Sequence, residues 1–270
     1  MGVALEVLTG FIANLASLTS VTMNGTDSLT VRYSDPAKKI WLLHMGMMSD
    51  ALGAGTLMEL KSPKLHDNVH GIRLRHSGTV VPLTELTEGM PQRLYAQDTL
   101  SWQLAGNSGA GSINPGWMLL YYEDVQGIAA RLIDVPPLKA RYVETFTVET
   151  QLTGAATGAY SAGIAANANF DFFKPNTDYA LVGYTVDKAC SSVHLRGADS
   201  GNLRVGGPGA VHLPHATAEW FPRLATAFGI PLIPVFNSAA KQGIFADVVT
   251  DHNAGTFNVT WIFGELAPKA

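Results

Sequence analysis

The hydrophobic pattern has a period of two along much of the chain. Phe257, Val259, Trp261 and Phe263 alternate with Asn258, Thr260 and Gly264, which predicts a half-buried strand. Tyr142, Glu144, Phe146 and Val148 alternate with Val143, Thr145 and Thr147, and the β-branched residues favour a pleated surface. Between such runs lie Asn24-Gly25, Asn107-Ser-Gly109, Pro115-Gly116, Ser200-Gly201 and Gly206-Gly-Pro-Gly209, all of them turn chemistry. Many short strands separated by these turns predict a sandwich or barrel. Helical signals are few. Ala216 to Phe228 places Trp220, Leu224 and Phe228 on one face and is stopped by Gly229 and Pro231; Thr84 to Met90 is its shorter counterpart. Leu5, Leu8, Ile12, Leu15 and Leu18 also fall at helical spacing, but Gly10 and the surrounding Thr and Ser leave that segment open between helix and strand.

The two halves of the chain repeat each other. Val7-Leu8-Thr9-Gly10 has a counterpart in Gln151-Leu152-Thr153-Gly154. Leu29 to Tyr33, the turn at Asp35-Pro36 and Ile40 to Leu43 match Asn169 to Phe173, the turn at Lys174-Pro175-Asn176 and Tyr179 to Val182. Pro91 to Tyr95 followed by Trp117 to Glu123 parallels Pro231 to Phe236 followed by Val259 to Glu265. All the offsets are about 140 residues, as in a tandem duplication. The expected division is a first domain over 1–134, a linker and first strand region over 135–150, and a second domain over 151–270. The prolines of Asp134-Val-Pro-Pro-Leu-Lys-Ala-Arg141 predict an extended connector, preceded by a short helix at Gln126 to Leu132. Residues 155–168, rich in Ala, Gly and Asn, read as loop or small-residue packing surface.

Composition adds a constraint. Charged residues make up 15% of the 270, against a usual figure of about 25%. A surface this poor in charge is suited to burial against other subunits. The net charge of -4 argues against sequence-independent nucleic-acid binding, which needs clustered Lys and Arg. The single cysteine, Cys190, excludes an intrachain disulfide and a Cys-rich metal site; it follows an apolar strand and is expected to point into the core. Val3 to Leu18 is interrupted by Glu6 and Asn14 and has no basic leader, so neither a secretion signal nor a membrane span is expected there. Without such a signal the acceptor patterns Asn24-Gly-Thr26 and Asn258-Val-Thr260 are not expected to be glycosylated.

Catalytic patterns are missing. The eight histidines (His44, His66, His70, His76, His194, His212, His215 and His252) read as polar loop residues. Loop-forming residues surround His66 and His70, and a proline separates His212 from His215, so neither pair makes a zinc site. The His-x-His of metal-binding two-domain cupins does not occur. The Gly-rich stretch Gly197 to Gly209 lacks the Lys of a phosphate loop and predicts a tight turn or close backbone packing. No Gly-x-Ser-x-Gly elbow is present. The five tryptophans (Trp41, Trp102, Trp117, Trp220 and Trp261) lie in alternating or helical runs and are expected in the core. Arg73 and Arg75 share a strand face, while Arg131, Lys139 and Arg141 flank the linker. With the net charge acidic, these five are candidate subunit-contact residues rather than lipid or nucleic-acid ligands. The expectation is therefore no enzyme, no catalytic site, no cofactor and no metal.

Two successive β-barrels, a short linker, low charge and no catalytic constellation resemble the double jelly-roll major capsid proteins of tailless icosahedral phages with an internal membrane. The resemblance is architectural and runs from about Leu29 to Leu266 through the repeat. It implies an all-β fold of two tandem jelly-roll domains with few short helices, and three copies joining into a pseudo-hexameric capsomer. It also implies a virion protein made in the host cytoplasm, with itself, neighbouring capsomers, other virion proteins or an internal membrane as partners, and no sequence-specific nucleic-acid binding. Short loops depart from the larger members, which puts a receptor-binding role in doubt. The alternatives from other classes are a capsid decoration or cement protein of a tailed phage and a carbohydrate-binding β-module.

Overall fold

The structure is a computed structural model. It describes residues 2–13, 15–20, 29–30, 39–47, 56–65, 69, 71–76, 90–95, 98–106, 113–125, 130–155, 160–161, 163–165, 173–188, 190–209, 217–250 and 255–269. The first half contributes β1 (Gly2–Ala13), β2 (Leu15–Ser20), β3 (Leu29–Thr30), β4 (Ile40–Met47), β5 (Thr56–Lys61), β6 (Ile72–His76), β7 (Gln92–Leu94), β8 (Thr99–Gly106) and β9 (Ile113–Val125). The second contributes β10 (Leu132–Ile133), helix α1 (Val135–Arg141), β11 (Tyr142–Thr153), β12 (Ile164–Ala165), β13 (Asp178–Val186), β14 (Cys190–Arg196) and β15 (Val205–Gly209). Helix α2 (Trp220–Phe228), β16 (Ile233–Asn237), β17 (Phe245–Val249) and β18 (Thr256–Leu266) complete it.

The order of these strands defines the fold. In the first half one sheet runs β1-β9-β4-β7 and the other β2-β8-β5-β6, with β3 pairing β8 as an extra strand. In the second half one sheet runs β11-β18-β13-β16, extended by β10, and the other β12-β17-β14-β15. Setting β3 and β10 aside and counting each half from its first strand, both halves read 1-8-3-6 over 2-7-4-5. Among the described residues all strand pairings are antiparallel. This eight-stranded double-sheet arrangement is the jelly roll, so the chain is two tandem jelly rolls with few short helices. Where its segments are described, the sequence repeat falls on equivalent strands. Trp117 to Glu123 and Val259 to Glu265 lie on the eighth strand of each roll, Ile40 and Tyr179 on the third, Gln92 and Ile233 on the sixth.

Several elements differ from the sequence expectation or resolve it: Pro115-Gly116 and Gly206-Gly-Pro-Gly209, read as turns, lie inside β9 and β15. The connector at 135–141 is helical. Asp134 caps it by accepting from the Val135 N–H (2.7 Å), and the prolines fall in the first turn, where no intrahelical N–H bond is needed. Leu132, expected at the end of a helix, lies in β10 and pairs with Pro234; residues 126–129 lie outside the described chain. The N-terminal run is the long strand β1, paired with β9 along its length. Helix α2 ends where expected, with Gly229 in the left-handed region at φ 65° and its N–H returned to the Ala225 carbonyl. The short helix expected at Thr84 to Met90 lies, except for Met90, outside the described residues.

The sheet β1-β9-β4-β7 is buried on both faces. Ala4, Leu8, Met118, Leu120 and Tyr122 pack with Met58, Leu60, Trp102 and Leu104 of the opposing sheet. Leu5, Val7, Trp117, Leu119 and Tyr121 point the other way and join the hydrophobic cluster of the second roll. That is why Trp117-Met-Leu-Leu-Tyr-Tyr122 is continuously apolar, while β18 alternates with one face open to water. The seam between the rolls brings β14 and β15 against β1 and β9. The Val7 N–H donates across it to the Arg204 carbonyl (2.9 Å), and the Arg131 N–H to the Asp199 carbonyl (2.7 Å). Trp220 of α2 meets the ring of His44 edge-on, while His44 Nδ1 accepts from Trp117 Nε1 (3.0 Å).

Candidate functional site

The five sequence-predicted contact residues separate into three groups. Arg131, just before β10, and Arg141, at the end of α1, converge on Asp178 at the start of β13. Arg131 donates to both carboxylate oxygens (2.8 and 2.7 Å), Arg141 to one (3.2 Å), and the Asn237 amide also donates (2.8 Å). Arg131 additionally pairs with Asp199 at 3.6 Å. Burial by itself would raise the Asp178 carboxyl, but the hydrogen bonds from Arg131, Asn237 and Arg141 outweigh it and hold the group below the ordinary carboxylate range. These side chains line a cleft of about 490 Å³ with Val143, Thr177, Glu265 and the tail residue Lys269. Nearby, Lys174 bridges Glu265 (2.8 Å) and Glu144 (3.1 Å), and these two partners hold its ammonium above its usual value. Lys139 stands exposed on α1.

Arg73 lies elsewhere, on β6, where it pairs with Glu59 of β5; Lys61 reaches the same carboxylate. Glu59 is fully buried, so these cations compensate a charge that could not otherwise stay inside. Arg75 is two positions along β6, paired with Leu57, and its side chain lies outside the described ones. The structure thus joins Arg131 and Arg141 in one cluster and leaves Arg73 and Lys139 apart from it.

The carboxylates of the cleft are held in ion pairs: Asp178 by Arg131 and Arg141, and Glu265 by Lys174. Among the described residues, no group of three His, Cys, Asp or Glu side chains is placed to hold a metal ion. Cys190 is buried in the core. Trp102, Trp117, Trp220 and Trp261 are fully buried, whereas Trp41 is half-buried beside the Arg93 guanidinium and donates to Glu123 (3.2 Å).

The histidines correct the loop expectation. His44 and His194 are buried strand residues on β4 and β14, and His76 lies on β6; His66, His70, His212, His215 and His252 fall outside the described residues. Sequence reasoning also missed Asp247, buried on β17, which accepts from Arg196 (2.9 Å) and Arg204 (3.2 Å). The signal was present in Ser192, His194 and Arg196, which alternate with Val193 and Leu195 and so form one polar strand face.

No protein-family model matches the chain, and no curated protein does either. Among solved structures, the PBSX exported protein XepA aligns over 96% of this chain and 86% of its own, at 10% identity and a TM-score of 0.25. The STIV MCP aligns over 98% and 97% at 10% identity and a TM-score of 0.22. The major capsid protein P2 from bacteriophage PM2 aligns over 98% and 99% at 6% identity and a TM-score of 0.22. Scores this low carry no argument. The class, a double jelly-roll protein, rests on the strand order of this chain.

Proposed function

We propose that this chain is a shell-forming virion protein, a major capsid protein whose three copies make a capsomer with six similar sides. The supporting observation is the fusion of two jelly rolls of identical strand order in one chain. Two like units per chain give six per trimer, which suits a six-fold position in an icosahedral lattice. The first roll (1–134) and second roll (151–270) act as the repeated units, with 135–150 supplying the linker and the first strand region of the second. The low charge content fits a surface spent on neighbours, because obligate interfaces commonly exceed about 2,000 Å². Arg73, Arg75 and Lys139 are the proposed polar contacts at the joints. Arg131 and Arg141, tied to Asp178, shape the cleft beside the exposed Tyr142 and Val143. In this role the chain needs no cofactor and makes no sequence-specific nucleic-acid contact.

Sedimentation velocity of the purified protein at micromolar concentration tests the assembly, and electron microscopy of the source particle tests the location. The expected results are a trimer and a continuous shell of these units. A monomer that is absent from particles overturns the reading; sparse copies seated on a different shell protein favour a decoration role.

A further inference from the structure

The seam between the rolls contains a titratable group with no hydrogen-bond partner among the described residues. His194 sits at the middle of β14, is fully buried, and has neither ring nitrogen hydrogen-bonded. Its neighbours Val193 and Leu195 belong to the hydrophobic cluster, so His194 shares the opposite face of its sheet with Ser192, Asp247 and Arg196. This sheet meets the first roll through β14 and β15, which lie against β1 and β9.

The charges around His194 oppose a further positive one. From the turn just before β15 comes Arg204; from β17 comes Asp247, already shared between Arg204 and Arg196. Arg196 itself lies on β14. Tyr160 meets the imidazole edge-on, with the Arg204 guanidinium 3.8 Å from the centre of the tyrosine ring. From the first roll, β9 contributes Tyr121, whose hydroxyl is pushed up to about 12 by burial and by Glu123 and Asp124. The outward residues of β1 are Leu5, Val7 and Thr9, while Glu6 points the other way and accepts from Tyr122 (2.9 Å). β4 contributes His44, the acceptor for Trp117. Among the described residues, two guanidinium groups against one carboxylate leave no counter-charge for an imidazolium.

We propose that this seam is an acid-sensitive joint, in which protonation of His194 parts β14 and β15 from β1 and β9 while each jelly roll stays folded. The property belongs to the chain whether or not it builds a shell. The linkage has a definite sign. Burial first, and Arg204 second, lower the imidazole to about 3 in the closed seam. Once the seam opens, the ring meets water and titrates near its free value of about 6.5. Between these limits only the open form binds the proton, so each pH unit of acidification raises the open population about tenfold. The bias is absent above about 6.5 and saturates near 3.

Amide hydrogen exchange on the full chain reads this directly, after correction for the intrinsic pH dependence of exchange. The Val7 N–H, which donates across the seam to Arg204, is the reporter; the amides of Val148 and Trp261, in the β11–β18 ladder, are the controls. Val7 protection is expected to fall about tenfold per unit between pH 6.5 and 4.5, while the controls hold. His194→Gln should flatten the response, and His44→Gln should keep it. No pH response at Val7, equal loss at the controls, or a response abolished by His44→Gln alone overturns the proposal. Imidazole NMR of the unsubstituted protein gives a test that needs no variant. The His194 ring should remain neutral at pH 5 in the folded chain, and titration near 6.5 with the seam still protected refutes the joint.

Discussion

Gly206 is the position where a single methyl group should do most damage. Strand β15 runs so close to β14 that a Cβ on Gly206 would lie 1.9 Å from the Val193 carbonyl oxygen and 2.9 Å from the His194 Cα. Both obstacles are backbone, so no side-chain rotation relieves the overlap. To reach ordinary contact the strands must separate by about 1.5 Å, and β15 is also buried along its full length. Overpacking of this kind costs about 1–3 kcal/mol. The same shift disturbs the Gly206 carbonyl, which accepts from Trp220 Nε1 at 3.0 Å, and a lost buried hydrogen bond adds about 1 kcal/mol or more. Gly206→Ala should therefore destabilise by roughly 2–4 kcal/mol. At about 2–4 °C per kcal/mol, the melting temperature falls by roughly 4–16 °C. Gly243→Ala is the control, because a Cβ there meets nothing within 4 Å; it should stay within about 0.5 kcal/mol of the parent. Urea unfolding followed by tryptophan fluorescence measures both. If the two variants unfold within 0.5 kcal/mol of each other, the close-approach reasoning is wrong.

Other outcomes follow from the buried charges. Asp178→Asn should cost about 1–3 kcal/mol at pH 7, below the value for a fully buried pair because the Arg131 side chain is 36% exposed. Since the Asp178 carboxyl is held below its unfolded value, its contribution is present above about pH 4 and disappears as the pH falls through the folded value; the gap between parent and variant should close there in acid unfolding curves. Arg73→Met leaves the buried Glu59 with Lys61 as its remaining cation and should destabilise by about 1–3 kcal/mol, measured by denaturant midpoint. Lys139→Glu, on the exposed face of α1, should leave the melting temperature unchanged while weakening association, which sedimentation at two salt concentrations detects.

Much of the architecture was legible in the sequence. Turn chemistry and alternation identified the β-class, and the weak repeat located equivalent strands because each roll must place the same strand in the same sheet. Gly197 to Gly209 was legible in part: Gly201 takes a positive φ in a tight turn and Gly206 allows a close approach, but Gly206-Gly-Pro-Gly209, read as a turn, is strand β15. The N-terminal segment was ambiguous because Leu5 and Leu8 both become buried, on opposite faces of one strand, a pattern that also fits a helix. The linker helix was hidden because its prolines usually signal an extended chain, and only the Asp134 cap and their first-turn position reconcile them with a helix. The buried histidines were missed because their pairing partners lie far along the chain: His194 faces Asp247 across a ladder.

The double burial of the β1-β9-β4-β7 sheet also bears on synthesis. The outward face carrying Leu5, Val7, Trp117, Leu119 and Tyr121 is finished when β9 leaves the ribosome, but its cover on β14 begins about 65 residues later. At about 5–20 residues per second that is a gap of roughly 3–13 seconds. For that interval the nascent first roll presents an apolar sheet to its surroundings, a natural client surface for a chaperone. The duplication has thereby made the partners unequal, since the first roll depends on a second that has not yet been made.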